Sequence, residues 1–320
     1  MKSYVIGVDI GGTSVKMGLF EESGRVVHKW SIPTRKVKNG TYILSNTAAS
    51  IEQVLEEKKI SKGDIKGIGI DVPGPVLADG RVNKCANLGW GVVSVPEKMS
   101  KLIKIDHIKA INDANAAALG EMWQGSGKDE KNMVMVTLGT GVGGGVIVNG
   151  KIVSGSFGAA GEIGHIQVSF EEEESCGCGK KGCLEQYASA SGIVRTAKKK
   201  LLKDGSRKDG TGEKKSVLND LEEITAKDVF DAAKAGDELA LEVVDDACDK
   251  LARAFSYISA VTDPKVYVIG GGVSNAGEFL ITKIEQYYKK YAFHASKDAR
   301  FTLAKLGNDA GIYGAAKLVL

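Results

Sequence analysis

The sequence predicts an α/β protein made of two related αβ halves that face each other across a cleft. Three observations carry that expectation. A strand–turn–strand meander with glycine in its first turn occurs twice, near positions 4–32 and 132–153. Strands and helices alternate after each meander. The chain of 320 residues also exceeds the usual span of one compact domain.

The elements follow in order. Positions 4–10 are β-rich, Gly11-Gly12-Thr13 breaks the run, and 15–20 resumes it. Glu22-Ser23-Gly24 turns into a third strand at 26–32. A helix is expected over about 42–59, with Ile43, Leu44, Ala48, Ile51, Val54 and Leu55 on one face. A strand at 65–72 stops at Pro73-Gly74-Pro75, another ends at Ala110-Ile111, and a helix runs from 114 to about 123. The second meander has strands at 132–138 and 146–148, then the hairpin signal Asn149-Gly150 and 151–153. Helices at about 225–235 and 238–261, a strand at 265–269, and helices at 277–291 and 310–318 complete the chain.

Composition narrows the function classes. Hydrophobic residues make up 43% and charged residues 26%, an ordinary globular balance. The net charge of +3 comes without a long basic block, so no nucleic-acid partner is expected. No apolar run reaches the roughly 20 residues of a membrane helix. The N-terminus has no signal-peptide pattern, so a cytoplasmic location is expected. The acidic run Glu171–Glu174 and the Lys-, Asp- and Gly-dense stretch 198–215 read as solvated, mobile loops. Cys85 and Cys248 read as packing residues.

Glycine turns are the first chemical signal. Backbone N–H groups can surround a phosphate only where no side chain intervenes. Asp9-Ile10-Gly11-Gly12-Thr13 places an acid at a strand end, then two glycines and a hydroxyl. It is either a plain hairpin turn or a phosphate turn, with Gly11, Gly12, Thr13 and Lys16 near the phosphates and Asp9 at Mg²⁺. Gly139-Thr140-Gly141-Val142-Gly143-Gly144 matches the dinucleotide fingerprint, but a strand follows it where that fingerprint needs a helix. Gly139, Thr140, Gly141 and Gly143 therefore read as a second phosphate turn, equivalent to the first. Gly270, Gly271 and Gly272 lie between strand and helix, where backbone could rest on adenine or ribose. Three such elements in one chain argue for a bound nucleotide, ATP.

Asn112-Asp113-Ala114-Asn115 joins a strand to an Ala-rich helix. Phosphoryl transfer to an alcohol needs a carboxylate to accept the hydroxyl proton, and Asp113 is suitably placed. Asp is also a common N-cap, and both roles are open at this point. His165, Cys176, Cys178 and Cys183 supply one imidazole and three thiols within 19 positions. That is a four-ligand tetrahedral zinc set with no open position, hence structural Zn²⁺. Glu162 and Glu185 flank it and would be brought near the same place, suited to sugar hydroxyls.

Together these residues resemble the ROK family of sugar kinases and sugar-responsive repressors, over essentially the whole chain. The most specific segments are Gly161-Glu162-Ile163-Gly164-His165 and Cys176-Gly177-Cys178-Gly179-Lys180-Lys181-Gly182-Cys183-Leu184-Glu185. Asp71-Val72-Pro73-Gly74-Pro75-Val76, Asn87-Leu88-Gly89-Trp90, Leu119-Gly120-Glu121-Met122-Trp123 and 306–311 look most like the glucokinases of Gram-positive bacteria. The resemblance implies an actin-like (ribonuclease H-like) ATPase fold. Its domains would be a smaller one, 1–113 joined by a C-terminal helix at 308–320, and a larger one, 114–307 with the zinc loop.

The resemblance also implies Asp113 as the base that deprotonates the 6-hydroxyl of glucose or a related hexose. Gly74, Asn87, Asn112, Glu162, His165 and Glu185 would hold the sugar, His165 binding zinc through its other ring nitrogen. A homodimer is implied too. Two readings compete: a ROK kinase for N-acetylmannosamine, fructose or another hexose, and a ROK repressor. The repressors carry an N-terminal helix-turn-helix, for which three residues before the first strand leave no room.

Overall fold

The computed structural model describes residues 3–204 and 216–320. The first meander forms as expected: β1 (Tyr4–Ile10), β2 (Ser14–Glu21) and β3 (Val26–Pro33). Helix α1 (Ile43–Glu57), β4 (Ile65–Val72), helix α2 (Val95–Ile103) and β5 (Ile108–Asn112) follow. Helix α3 (Asp113–Gln124) leads to the second meander: β6 (Met133–Leu138), β7 (Val142–Val148) and β8 (Lys151–Ile152). The remaining elements are α4 (Ala190–Asp204), α5 (Ala226–Lys234), α6 (Glu238–Thr262), β9 (Val266–Gly270), α7 (Glu278–Tyr291), β10 (Arg300–Leu303) and α8 (Ala310–Lys317).

The repeat is visible in the sheets. One has the order β3-β2-β1-β4-β5 and the other β8-β7-β6-β9-β10, the same five-strand plan twice. That duplicated plan is the actin-like architecture the resemblance implies. By compactness the chain divides into two units. The first comprises Met1–Met135, Gly145–Gly161 and Lys305–Leu320; the second comprises Val136–Gly144 and Glu162–Ala304. No helix among the described residues is long and apolar enough to cross a membrane.

Strand alternation builds the first unit. In β1 and β4, Ile6, Val8, Ile10, Ile68, Ile70 and Val72 point to one face and join the large core with α1 and α2 residues such as Ile51, Leu55, Met99 and Ile103. The opposite face carries Gly7, Asp9, Gly69 and Asp71, and α8 lies upon it. A Cβ on Gly7 would fall 1.8 Å from the Ile312 carbonyl oxygen, and one on Gly69 1.7 Å from that of Ala315. Glycine at these positions is thus what lets a helix backbone rest on the sheet. Ile312, Ala316 and Val319 complete a smaller core with Val5 and Phe20. The return of the C-terminal helix to the N-terminal sheet is thereby built into β1 and β4.

Two loop expectations require correction. The acidic run is not a free loop. The Glu172 side chain is only 7% exposed and accepts hydrogen bonds from Tyr187 (2.8 Å) and Arg195 (2.7 Å), while Glu174 pairs with Arg195 at 2.9 Å and Lys199 at 2.7 Å. The acids are spaced to meet one face of α4, a partnership between distant segments. Of the stretch 198–215, positions 198–204 are the last turns of α4. Its other positions lie outside the described residues. Helix α2 and strand β10 also go beyond what periodicity indicated. Cys85 and Cys248 are buried.

Candidate active site and metal centre

The first glycine turn is a braced hairpin. The Gly11 N–H donates to the Ser14 carbonyl at 3.0 Å, and Thr34 clasps the turn through its N–H to Thr13 O (2.9 Å) and its hydroxyl to Gly11 O (2.7 Å). Gly12 and Thr13 form its tip. Lys36, absent from the sequence expectations, lies over it: its Nζ is 3.4 Å from where a Gly12 Cβ would sit. Asp9 pairs across the strands with Lys16, whose Nζ is 3.7 Å from Asp9 Oδ2 and 3.0 Å from the Asn308 carbonyl oxygen. Burial pushes the Asp9 carboxyl above the ordinary carboxylate range despite Lys16.

Three strand ends converge at this place. Asp9 stands beside Asp71 in the parallel register of β1 and β4, and Val72 stands beside Asn112 in that of β4 and β5. Carboxyl ends of parallel strands are where open α/β sheets bind ligands. Asp71 is fully buried, and burial together with the Asp9 and Asp113 charges raises its carboxyl well above the usual range.

The question of the cap is answered by Asn112. Its Oδ1 accepts from the N–H groups of Ala114 (2.9 Å) and Asn115 (3.1 Å), so Asn112 is the N-cap of α3. Asp113, read from sequence as cap or base, is the first helical residue and is exposed. Its Oδ1 accepts from Asn112 Nδ2 at 2.9 Å and from the Ala114 N–H at 2.8 Å. Asn112 Nδ2 also donates to the Gly74 carbonyl at 3.1 Å. One amide therefore caps the helix, orients the carboxylate and ties down the Pro73–Pro75 turn. Asn87 is exposed on the turn Ala86–Leu88.

In the second unit the other glycine turn is stapled to 185–191. The Ala190 N–H donates to Gly139 O at 2.8 Å, and the Ser191 hydroxyl to Thr140 O at 2.9 Å. The Val142 N–H donates to Glu185 Oε2 at 3.0 Å. A Cβ on Gly141 would lie 2.4 Å from that same oxygen, so glycine there admits the carboxylate to the turn. Strand β7 begins inside the turn, which excludes the helix a dinucleotide fingerprint requires. Gly270 ends β9, and Gly271 and Gly272 open a short 3-10 turn, with Ser274 donating to Gly271 O at 3.1 Å.

The metal ligands gather as their residue types suggest. One donor atom from each of His165, Cys176, Cys178 and Cys183 lies within 4.8 Å of every other. Cys178 and Cys183 sulfurs are 3.6 Å apart, and Cys176 Sγ is 3.8 Å from His165 Nδ1. Tetrahedral zinc with Zn–S near 2.3 Å places its ligands about 3.8 Å apart, so the set fits that ion. Burial and the neighbouring Cys178 and Cys176 sulfurs push the Cys183 thiol up to about 12, a crowding that a bound cation would relieve. His165 turns Nδ1 to the sulfurs, which directs Nε2 away from them. Glu185 Oε1 lies 3.9 Å from Cys176 Sγ, so one carboxylate joins the metal cluster to the glycine turn. Glu162 is exposed immediately before the 3-10 turn Ile163–His165.

Comparison with known proteins agrees with this geometry. The sequence matches the ROK family over residues 5–320. It is 44% identical over 318 residues to a glucokinase of Halalkalibacterium halodurans, covering 99% of this chain and 94% of that one. An N-acetyl-D-glucosamine kinase of Vibrio cholerae is 30% identical over 328 residues, covering 98% of each. The structure of a ROK family glucokinase from Streptomyces griseus, in complex with glucose and AMPPNP, superposes with a TM-score of 0.74 at 30% identity, covering 99% of both chains. The duplicated sheets, the Cys₃His cluster and a family match from the first strand to the last residue lead to one conclusion: this chain belongs to the ROK family.

Proposed function

We propose that the protein is an ATP-dependent glucokinase, transferring the terminal phosphoryl group of ATP to the 6-hydroxyl of glucose. The observation that carries the chemistry is Asp113, an exposed carboxylate at a strand end whose Oδ1 is held by Asn112 and the α3 backbone. A carboxylate oriented in this way can accept the hydroxyl proton as the new O–P bond forms and the bond to ADP breaks. Asn112, Asn87 and the Gly74 backbone are the proposed sugar contacts of the first unit. Glu162, Glu185 and His165, through Nε2, are those of the second.

The turns Gly11–Thr13 with Lys16, and Gly139–Gly143, are proposed to hold the phosphates. Gly270–Gly272 would take the adenosine end. Asp9 would hold Mg²⁺, which would supply charge to neutralise the phosphates. His165, Cys176, Cys178 and Cys183 would hold a structural Zn²⁺ that orders the loop between them.

We also propose that the domains follow the two sheets. All strands of the first fall within 1–113, to which 308–320 returns, and all strands of the second fall within 114–307. A homodimer acting in the cytoplasm without nucleic acid completes the reading, and light scattering on the purified chain tests the dimer.

Glucose is favoured over other hexoses because the glucokinase relative is 44% identical and the N-acetyl-D-glucosamine kinase 30%. A coupled ADP-release assay over glucose, N-acetylglucosamine, N-acetylmannosamine and fructose decides between them. Glucose should give the highest kcat/KM; a clear preference for another sugar would overturn the substrate. Asp113→Asn should lower kcat by about 10²–10⁴ with sugar affinity unchanged. Full activity in that variant would remove Asp113 as the base.

A further inference from the structure

The segment between β3 and α1 carries a cation to which the function proposed above gives no part. Lys36 is exposed, and its ammonium makes no hydrogen bond or ion pair among the described residues. It nevertheless has a definite place, with Nζ 3.4 Å and Cε 4.0 Å from where a Cβ on Gly12 would sit. Lys16, the other lysine at this turn, is already engaged with Asp9 and the Asn308 carbonyl. The unpaired positive charge over the glycine tip is therefore that of Lys36.

The backbone around Lys36 is braced on both sides. Before it, Thr34 is clasped to Thr13 O and Gly11 O. After it, Lys38, Asn39 and Gly40 take left-handed conformations in succession, with φ of 50°, 56° and 67°. A run of three such residues is costly, so its surroundings must impose it. Trp90 Nε1 donates to Gly40 O at 3.1 Å, and a Cβ on Gly40 would fall 2.4 Å from the Leu88 carbonyl oxygen. The strap thus runs from the phosphate turn to the turn that carries Asn87. Asp113 is close as well. Burial raises the thiol of Cys85, and Asp113 and Lys36 both act on it, the acid upward and the lysine downward.

We propose that Lys36 is a further catalytic residue, whose ammonium binds the terminal phosphoryl group of ATP while that group passes to the sugar. This role rests on the kinase reading and adds a residue to it. A phosphate received by the amides of Gly12 and Thr13 comes within reach of the ammonium, and charge-assisted N–H···O bonds are strong. As the sugar oxygen bonds to phosphorus, the bond to the ADP oxygen breaks and its electron pair leaves with ADP. Charge meanwhile spreads over the three other phosphoryl oxygens. Lys36 stays protonated and meets that charge, while the hydroxyl proton goes to Asp113.

Lys36→Met keeps most of the side-chain length and removes the charge. Calorimetry on the full chain with Mg²⁺ should show AMPPNP bound about tenfold more weakly by this variant, with ADP and glucose affinities unchanged. In the ADP-release assay its kcat should fall about 10²-fold with KM for glucose unchanged. Lys36→Arg, which restores the charge, should recover most of both losses. Unchanged AMPPNP affinity and kcat in Lys36→Met, or an equal loss for ADP and AMPPNP, overturns the proposal. A wild type that binds AMPPNP but phosphorylates no sugar sinks the kinase reading, and the AMPPNP comparison then still decides whether Lys36 holds the terminal phosphate. A wild type that binds no AMPPNP overturns both.

Discussion

At the scale of single residues, polar side chains here are defined by what meets them. Asn112, which the resemblance implies as a sugar contact, also caps α3 and braces Asp113 and Gly74 through its amide. Glu121 is the stronger case. It is fully buried on α3 and accepts from the N–H groups of Ser126 (2.8 Å), Lys305 (3.0 Å) and Leu306 (2.7 Å). Three backbone donors lose their acceptor if it is removed. Glu121→Ala should therefore destabilise the protein by about 1–3 kcal/mol, measured by urea denaturation. A loss under about 1 kcal/mol would show that the site is hydrated in solution. Sequence offered a charged residue within an apolar helix as the only hint, because two of the three donors, on Lys305 and Leu306, lie some 180 positions away.

At the scale of elements, the segment bearing the Cys₃His cluster is fastened at two places. Glu185 fastens it to the glycine turn, and Glu172 fastens the acidic run to α4. Although burial alone would raise it, the Tyr187 hydroxyl, the Glu174 amide and Arg195 hold the Glu172 carboxyl down at about 2. A depressed carboxyl stabilises the fold above its unfolded value, near 4.3, and loses that contribution as pH falls toward 2. The stability gap between wild type and Glu172→Gln should hold constant above about pH 5 and close toward pH 2, as followed by denaturation across pH. A gap independent of pH would contradict the ion-pair account. The metal itself is checked by elemental analysis. The purified chain should carry about one zinc, and Cys178→Ser should lose it, whereas stoichiometric iron would refute the assignment. The cluster was legible in sequence because its cysteines crowd into eight positions. The acidic run was misread because its partners come from another element.

At the scale of the whole molecule, the duplicated plan was legible and the resemblance implied the return of the C-terminal helix, but not the glycines on which it rests. Alternating Ile with Gly in β1 and β4 marks strands, but only the packed structure shows α8 touching those glycines. Sequence alone was enough for the repeated meanders, the places of Asp9 and Asp113 at or just past strand ends, the Cys₃His cluster and the family. Each depends on residue type and short spacing, which survive in one dimension. Tertiary structure decided which acids stand together. Asp9 and Asp71 are 62 positions apart in the chain but neighbours in register, and Gly311 faces both. Charges brought together by strand pairing and helix packing have no signature in local sequence, because their energy depends on distance and burial alone.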